Sequence, residues 1–283
     1  MVIIYQVRWL HTPYNYFVFA LACADALTSV DSTLGIVGLC SRSHLRHTFV
    51  ECVFAVASNI FITMSQLSCL MWVCVDRFLL INFPLWYRAK FTNLTSITII
   101  VITFVFEFTM SYGVHSMILP FDIDEPDLVK RCTTSNRPDW YSKQYMPYRI
   151  VAQISILVCL TAQVSCVAVR KTKVRKGSSH TDIKADKEME HQNRSVKIMV
   201  TLFFLFLLFW IPLQLGYVFK AKVVQLYFVI SLFWLRFNSS INAFVYALHK
   251  GTFKFGFKYL IRHRPCDWKD LNRALMKRKI TMR

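Results

Sequence analysis

Charge is scarce in this 283-residue chain, and acidic charge is the scarcer kind. Asp, Glu, Lys and Arg together make up 18% of it, with 16 acids against 34 bases. Glycine and proline are also few, at 7 and 8 residues, which excludes collagen-like and low-complexity architectures. Nine cysteines spread over this length are too sparse for a disulfide-built miniprotein. The chain has no His-Glu-x-x-His, no paired His/Cys spacing for a metal, no glycine-rich phosphate cradle and no serine nucleophile elbow. An enzyme is therefore not expected, and no catalytic residue is assigned. What is abundant is apolar surface: 55% of residues are hydrophobic and 15% aromatic, far too much to leave solvated in a disordered tail. The net charge of +18 leaves two classes open, a nucleic-acid binder or a membrane protein with basic cytosolic loops.

The apolar residues fall into blocks, at Tyr14–Leu39, Val53–Ile81, Leu94–Leu119, Ile150–Val169, Val196–Phe219 and Val224–Leu248. Each reaches the roughly 20 residues a helix needs to cross a bilayer. A soluble helical protein would need charged faces on most of these blocks, and they are missing. An all-α polytopic membrane protein is the expected fold class. Met1–Val7 is apolar but too short to span, and no basic segment with a full apolar core precedes it. It reads as the last turns of a first helix, so the chain is expected to be truncated at its start. Arg170–Lys197 carries nine Lys and Arg against four Asp and Glu, and Lys250–Arg283 carries eleven against two. Helix parity puts both stretches on one side, the cytosolic side by the positive-inside rule, where they meet anionic inner-leaflet lipid. Flanking the spans in this way, they argue against a nucleic-acid partner.

Polar residues inside such spans are functional candidates by default. Asp25 lies in LACADAL, and Asp76 and Arg77 lie side by side in MWVCVDRFLLI. Glu107 falls in the third block, and Arg236, Asn238, Ser239 and Asn242 fall in the last. The plain structural alternatives are an interfacial ion pair for Asp76-Arg77 and a protonated, hydrogen-bonded carboxyl for Asp25.

Together these residues resemble a known family. LHTPYNYFVFALACAD is similar to the first-loop and second-helix signature of rhodopsin-like (class A) G-protein-coupled receptors. Asp76-Arg77-Phe78 resembles that family's Asp-Arg-Tyr triplet, and Pro84-Leu85-Trp86-Tyr87 its second cytosolic loop. Phe206 with Phe209-Trp210-Ile211-Pro212 resembles the sixth helix. Residues Asn238 to Tyr246 resemble the seventh-helix motif, with Ala243 where the family has proline. Gly251–Arg262 is similar to the family's short amphipathic helix on the membrane surface.

The resemblance implies a seven-helix bundle over residues 1–262, followed by a basic cytosolic tail over 263–283. It implies a multi-pass protein of the plasma membrane that passes an extracellular ligand's signal to heterotrimeric G proteins. Asp76, Arg77 and Tyr246 would form the coupling switch. Phe206, Trp210 and Pro212 would transmit the signal from the pocket, although core or lipid-facing packing explains the two aromatics equally well. Pro212 bends a helix whatever the family. Asp25, Asn238, Ser239 and Asn242 would line the family's sodium pocket. Gln66 stands there where many members have serine, so a water-filled polar cluster is the safer expectation. Cys52 and Cys132 take the positions of the outer disulfide. Further departures are a third block without its central Trp, a fifth helix without its Pro and Tyr (Pro147 comes too early), and Gln192 in place of a pairing acid.

Asn59, Thr63, Gln214 and Arg236 are the ligand-pocket candidates. Asn59 stands where amine receptors carry an aspartate, which ranks amines below peptides, lipids and other small molecules. Arg236 stands where opsins carry their retinal-binding lysine. A guanidinium stays protonated and is not expected to form the Schiff base, so retinal is disfavoured as a cofactor. Pairing of Arg236 with an acidic group and snorkelling to the interface carry similar weight. Cys266 in RHRPC is a palmitoylation candidate, with a free thiol at least equal to it. The rivals are a diverged receptor-like protein that no longer couples and, further off, a helical transporter. No internal repeat or pair of broken helices supports the transporter.

Overall fold

The structure, a computed structural model, describes residues 12–40, 49–113, 144–176, 193–194, 196–209, 237–239, 241–242, 245 and 262, and within these not the side chains of 32–40, 49–56, 146 and 171–176. The expected roles of Trp210, Pro212, Gln214, Arg236, Tyr246, Cys132 and Cys266 lie outside the described residues, as does the side chain of Cys52. So do residues 1–11, the amphipathic stretch before Arg262 and the tail over 263–283.

The described elements are helical. They are α1 (Pro13–Cys40), α2 (Phe49–Asn82), α3 (Pro84–Lys90), α4 (Asn93–Phe108), α5 (Met146–Lys176) and α6 (Val196–Phe209). Positions 237–239, 241–242 and 245 are helical as well. Local chemistry sets several boundaries. The Thr92 hydroxyl accepts from the Thr95 amide and caps α4. Proline opens α3, and Pro147 sits in the first turn of α5, where its missing N–H costs nothing. Two π-helical residues, 144–145, directly precede α5. Beyond Phe108, α4 runs on through a π-helical turn, Thr109–Gly113.

Among the described residues three helices are long and apolar enough to span a bilayer: Ala57–Asn82, Asn93–Gly113 and Pro147–Arg170. They differ in surroundings, with 67% of the α2 span buried against 17% for α4 and 22% for α5. The α2 helix is therefore the pillar of the bundle. α1 packs closely against it, and α4 and α5 flank it with broad outward faces. On α4 those outward residues include Leu94, Val101, Ile102, Val105 and Phe108, a row that would aggregate in water and matches acyl chains in a membrane. α6 shows the same division, with Ile198, Met199, Leu202, Phe203, Phe206 and Phe209 buried and Phe204 and Leu208 exposed.

The helix outruns the apolar block Ile150–Val169 at both ends. The basic residues from Arg170 to Lys176 continue α5, since nothing in RKTKVRK breaks a helix once the chain has left the apolar block. Arg149, just before the block, lies within α5, with its head turned into the bundle toward Glu107.

Because lipid is as apolar as leucine, helices in a membrane are held by close packing and by hydrogen bonds between them. The Trp72 indole on α2 lies parallel to the Phe17 ring on α1, with centroids 6.2 Å apart. Its Nε1 donates to Thr103 Oγ1 on α4 at 2.9 Å. An indole on α2 thus ties α1 and α4 together, although the third apolar block has no tryptophan of its own.

Candidate functional site

At the cytosolic end of α2, Asp76 and Arg77 are both buried. Arg77 donates to Asp76 Oδ2 from Nε at 2.9 Å and from Nη2 at 2.6 Å. The other carboxylate oxygen, Oδ1, accepts from the Tyr87 hydroxyl at 2.5 Å. Tyr87 reaches it because α3 follows α2 almost without a linker: the Phe83 amide donates to Leu79 O, and the Tyr87 amide to Phe83 O. Burial, with the Asp76 carboxylate beside it, holds the Tyr87 phenol above its ordinary value, so it remains a donor. Over the far face of the guanidinium lies the Tyr14 ring of α1, with Arg77 Cζ 4.0 Å from its centroid. Arg77 is thus enclosed by its own carboxylate, a loop tyrosine acting through that carboxylate, and an aromatic plate. Neither tyrosine was assigned to this switch from the sequence. The helix breaks at Phe83, between Asp76 and Tyr87, so their spacing in the sequence does not show that the two side chains meet.

The structure brings Asp25, Gln66, Ser239 and Asn242 together. Gln66 Nε2 lies 2.9 Å from Asp25 Oδ1, 2.8 Å from Thr28 Oγ1 and 2.8 Å from Ser239 Oγ. Asn242 Nδ2 donates to Asp25 Oδ2 at 3.1 Å and to Oδ1 at 3.3 Å. Thr28, one helical turn after Asp25, is a member that sequence inspection missed. Asn238 is buried beside the group, but among the described residues its Oδ1 has no hydrogen-bond partner. The donor set does not fit a sodium ion, because the point on which Asp25, Thr28 and Ser239 converge is held by an amide nitrogen and its protons.

A third polar group was visible in the sequence only as the isolated Glu107. That carboxylate, on α4, accepts from Ser68 Oγ of α2 at 2.7 Å and from Arg149 Nη2 of α5 at 2.5 Å. Gln153, one turn along α5, donates to Ser68 Oγ at 3.2 Å. A charged pair, two hydroxyl or amide groups and three helices thus meet in one place.

The ligand-pocket candidates are only partly described. Asn59 and Thr63 lie one turn apart on α2, both half-buried, with the Thr63 hydroxyl donating to Asn59 O at 2.8 Å. Nearby, Ser58 Oγ meets Tyr112 Oη at 2.7 Å, which draws the π-helical turn toward α2. Phe61 packs among Phe104, Phe108 and Tyr112. Phe206 is buried in α6, and Phe209 lies 6.2 Å from Phe237, bringing α6 to the last apolar block. Among the described residues no cluster of His, Cys, Asp and Glu could hold a metal ion.

Comparison with known proteins agrees with this geometry. Residues 1–246 match the family model described as 7 transmembrane receptor (rhodopsin family). Human trace amine-associated receptor 6 is 23% identical over 282 residues, covering 92% of this chain and 79% of that protein. Human trace amine-associated receptor 9 is 25% identical over 287 residues, covering 92% and 78%. Rat neuropeptide FF receptor 2 is 24% identical over 290 residues, covering 90% and 66%.

Proposed function

The chain belongs to the rhodopsin family of seven-transmembrane receptors, and from that premise we propose that the enclosed Arg77 is the switch through which it drives nucleotide exchange on a heterotrimeric G protein. Membership makes it a multi-pass, seven-helix G-protein-coupled receptor rather than an enzyme. The plasma membrane is the proposed location. The observation that carries the switch is the triple restraint on Arg77 by Asp76, Tyr87 and Tyr14. A buried guanidinium that turns Nε and Nη2 onto its neighbouring carboxylate and lies against the Tyr14 ring is not presented to a cytosolic partner. An outside ligand that favours a more open arrangement shifts the population toward a free Arg77. α6 runs from Val196 to Phe209 without an acidic residue, and Gln192 before it is neutral. The restraint is therefore supplied by α1, α2 and α3, and outward movement of α6 breaks no ion pair from Asp or Glu within that helix. Phe206, Trp210 and Pro212 relay the movement, and Tyr246 completes the open face.

The relatives pull in two directions on the ligand, since their names speak of trace amines and of neuropeptide FF. Asn59 favours a ligand without a cationic amine. A desolvated ammonium in this half-buried place needs a counter-charge, and an amide offers only a dipole. We therefore assign a peptide or a neutral or acidic small molecule, and primary amines that raised exchange through the unaltered chain would overturn that choice. The switch is tested by nucleotide exchange on Gα in membranes carrying the chain. Arg77→Ala is expected to abolish whatever exchange the chain supports. Solute flux with no Gα response would favour a transporter instead.

A further inference from the structure

We propose that the Gln66 side chain is a tethered stand-in for a cation, so that the polar centre of this receptor is closed to sodium. Three oxygens, two from α1 and one from Ser239 in the last apolar block, converge on the single atom Gln66 Nε2 at 2.8–2.9 Å. The chemistry of those oxygens decides which end of the amide faces them. An ionised Asp25 carboxylate can only accept. Thr28 spends its hydroxyl proton on Ala24 O at 3.0 Å, one turn back along α1, so its oxygen also faces Gln66 as an acceptor. Both need a donor at that point, and the amide oxygen would be repelled there. From the other side, Asn242 Nδ2 bonds both carboxylate oxygens. Of the roughly four lone-pair directions of a carboxylate, three are then filled by amide protons.

A hard cation needs those same oxygens turned toward a bare charge. Gln66 instead points protons at the place the ion would occupy. Admitting an ion would require the amide to swing away. Gln66 is buried on α2 between Ser65 and Leu67, both buried too, so the displaced amide would lose the acceptors of its two N–H groups and gain none from water. Asp25 is thus held by the chain's own dipoles, and the cohesion of α1, α2 and the last block does not depend on salt identity.

The test is the unfolding temperature of the purified full chain in sodium, potassium and choline chloride at equal ionic strength. The same midpoint is expected in all three salts. Gln66→Ser removes the amide and leaves a hydroxyl, and it is expected to gain a sodium-specific rise of several degrees. A midpoint of the unaltered chain that climbs with sodium alone would overturn the proposal. So would a folded Gln66→Ser that remains indifferent to sodium. If that variant does not fold, the series on the unaltered chain decides by itself. No coupling to a G protein is used here, so failure of this proposal would leave the Arg77 switch standing.

Discussion

Tyr87 shows how much a single hydroxyl can govern when it is the second donor to a buried carboxylate. Asp76 gives one oxygen to Arg77 and the other to Tyr87. Removing the hydroxyl leaves a fully buried acceptor short of a partner, and Asp76 then holds its place less firmly. A hydrogen bond of this kind contributes about 1 kcal/mol, equivalent to a ~fivefold change in a two-state ratio. Tyr87→Phe is therefore expected to raise ligand-independent nucleotide exchange by about fivefold, provided the closed form predominates. Exchange assays at matched surface expression check this, and an unchanged basal rate would remove Tyr87 from the switch. At this scale the sequence was readable where a residue's chemistry is conspicuous. Asp25, Asp76 and Arg77 stand out against apolar neighbours because charge in a membrane demands a reason. Tyr14, Thr28 and Tyr87 did not stand out, because a tyrosine or threonine at a helix end or in a short loop is ordinary until its partner is known.

Among the elements, α4 and α5 present the problem of two peripheral helices held to a central one with little buried apolar area. The Glu107–Arg149 pair answers it, with Ser68 on α2 bonded to the same carboxylate. Breaking a buried pair by removing one charge strands the other and typically costs about 3–5 kcal/mol, whereas replacing both with apolar groups is often close to neutral. Glu107→Gln should accordingly lower the melting temperature well below that of Glu107→Leu combined with Arg149→Leu. If the double variant were the less stable of the two, the pair would not be the clasp described here. This element-level contact was only half legible. Glu107 stands out inside an apolar block, but Arg149 sits one residue before the next block, where a basic residue is unremarkable. Hydropathy blocks end where polarity rises, whereas a helix ends only where its backbone bonds do. Hence α5 is longer at both ends than its apolar block.

Taken whole, the sequence gathers most of its +18 charge in two stretches that flank its spans, while among the described residues Asp25, Asp76 and Glu107 are each held by hydrogen bonds. Helix parity assigns the two most basic stretches of the sequence to the side that bears Asp76, Arg77 and α3, a charge that would favour an acidic partner surface. The class of fold was legible from the apolar blocks alone, because nothing else explains six of them in one chain. The order of motifs along those blocks carried the family, which the match over residues 1–246 bears out. Which helix sits at the centre was only faintly legible: α2 is less apolar than α4, but it takes packing to separate a pillar from a lipid-facing helix. The account's central claim is that Arg77 is held back by its neighbours and acts when released. Nucleotide exchange on Gα, driven in lipid bilayers by the purified full chain carrying Asp76→Asn and no ligand, tests it most directly. The account predicts exchange above that of the unaltered chain, and return to background when Arg77→Ala is added to the same variant. A folded Asp76→Asn chain with exchange no higher than the unaltered one, or a rise that survives Arg77→Ala, would contradict it.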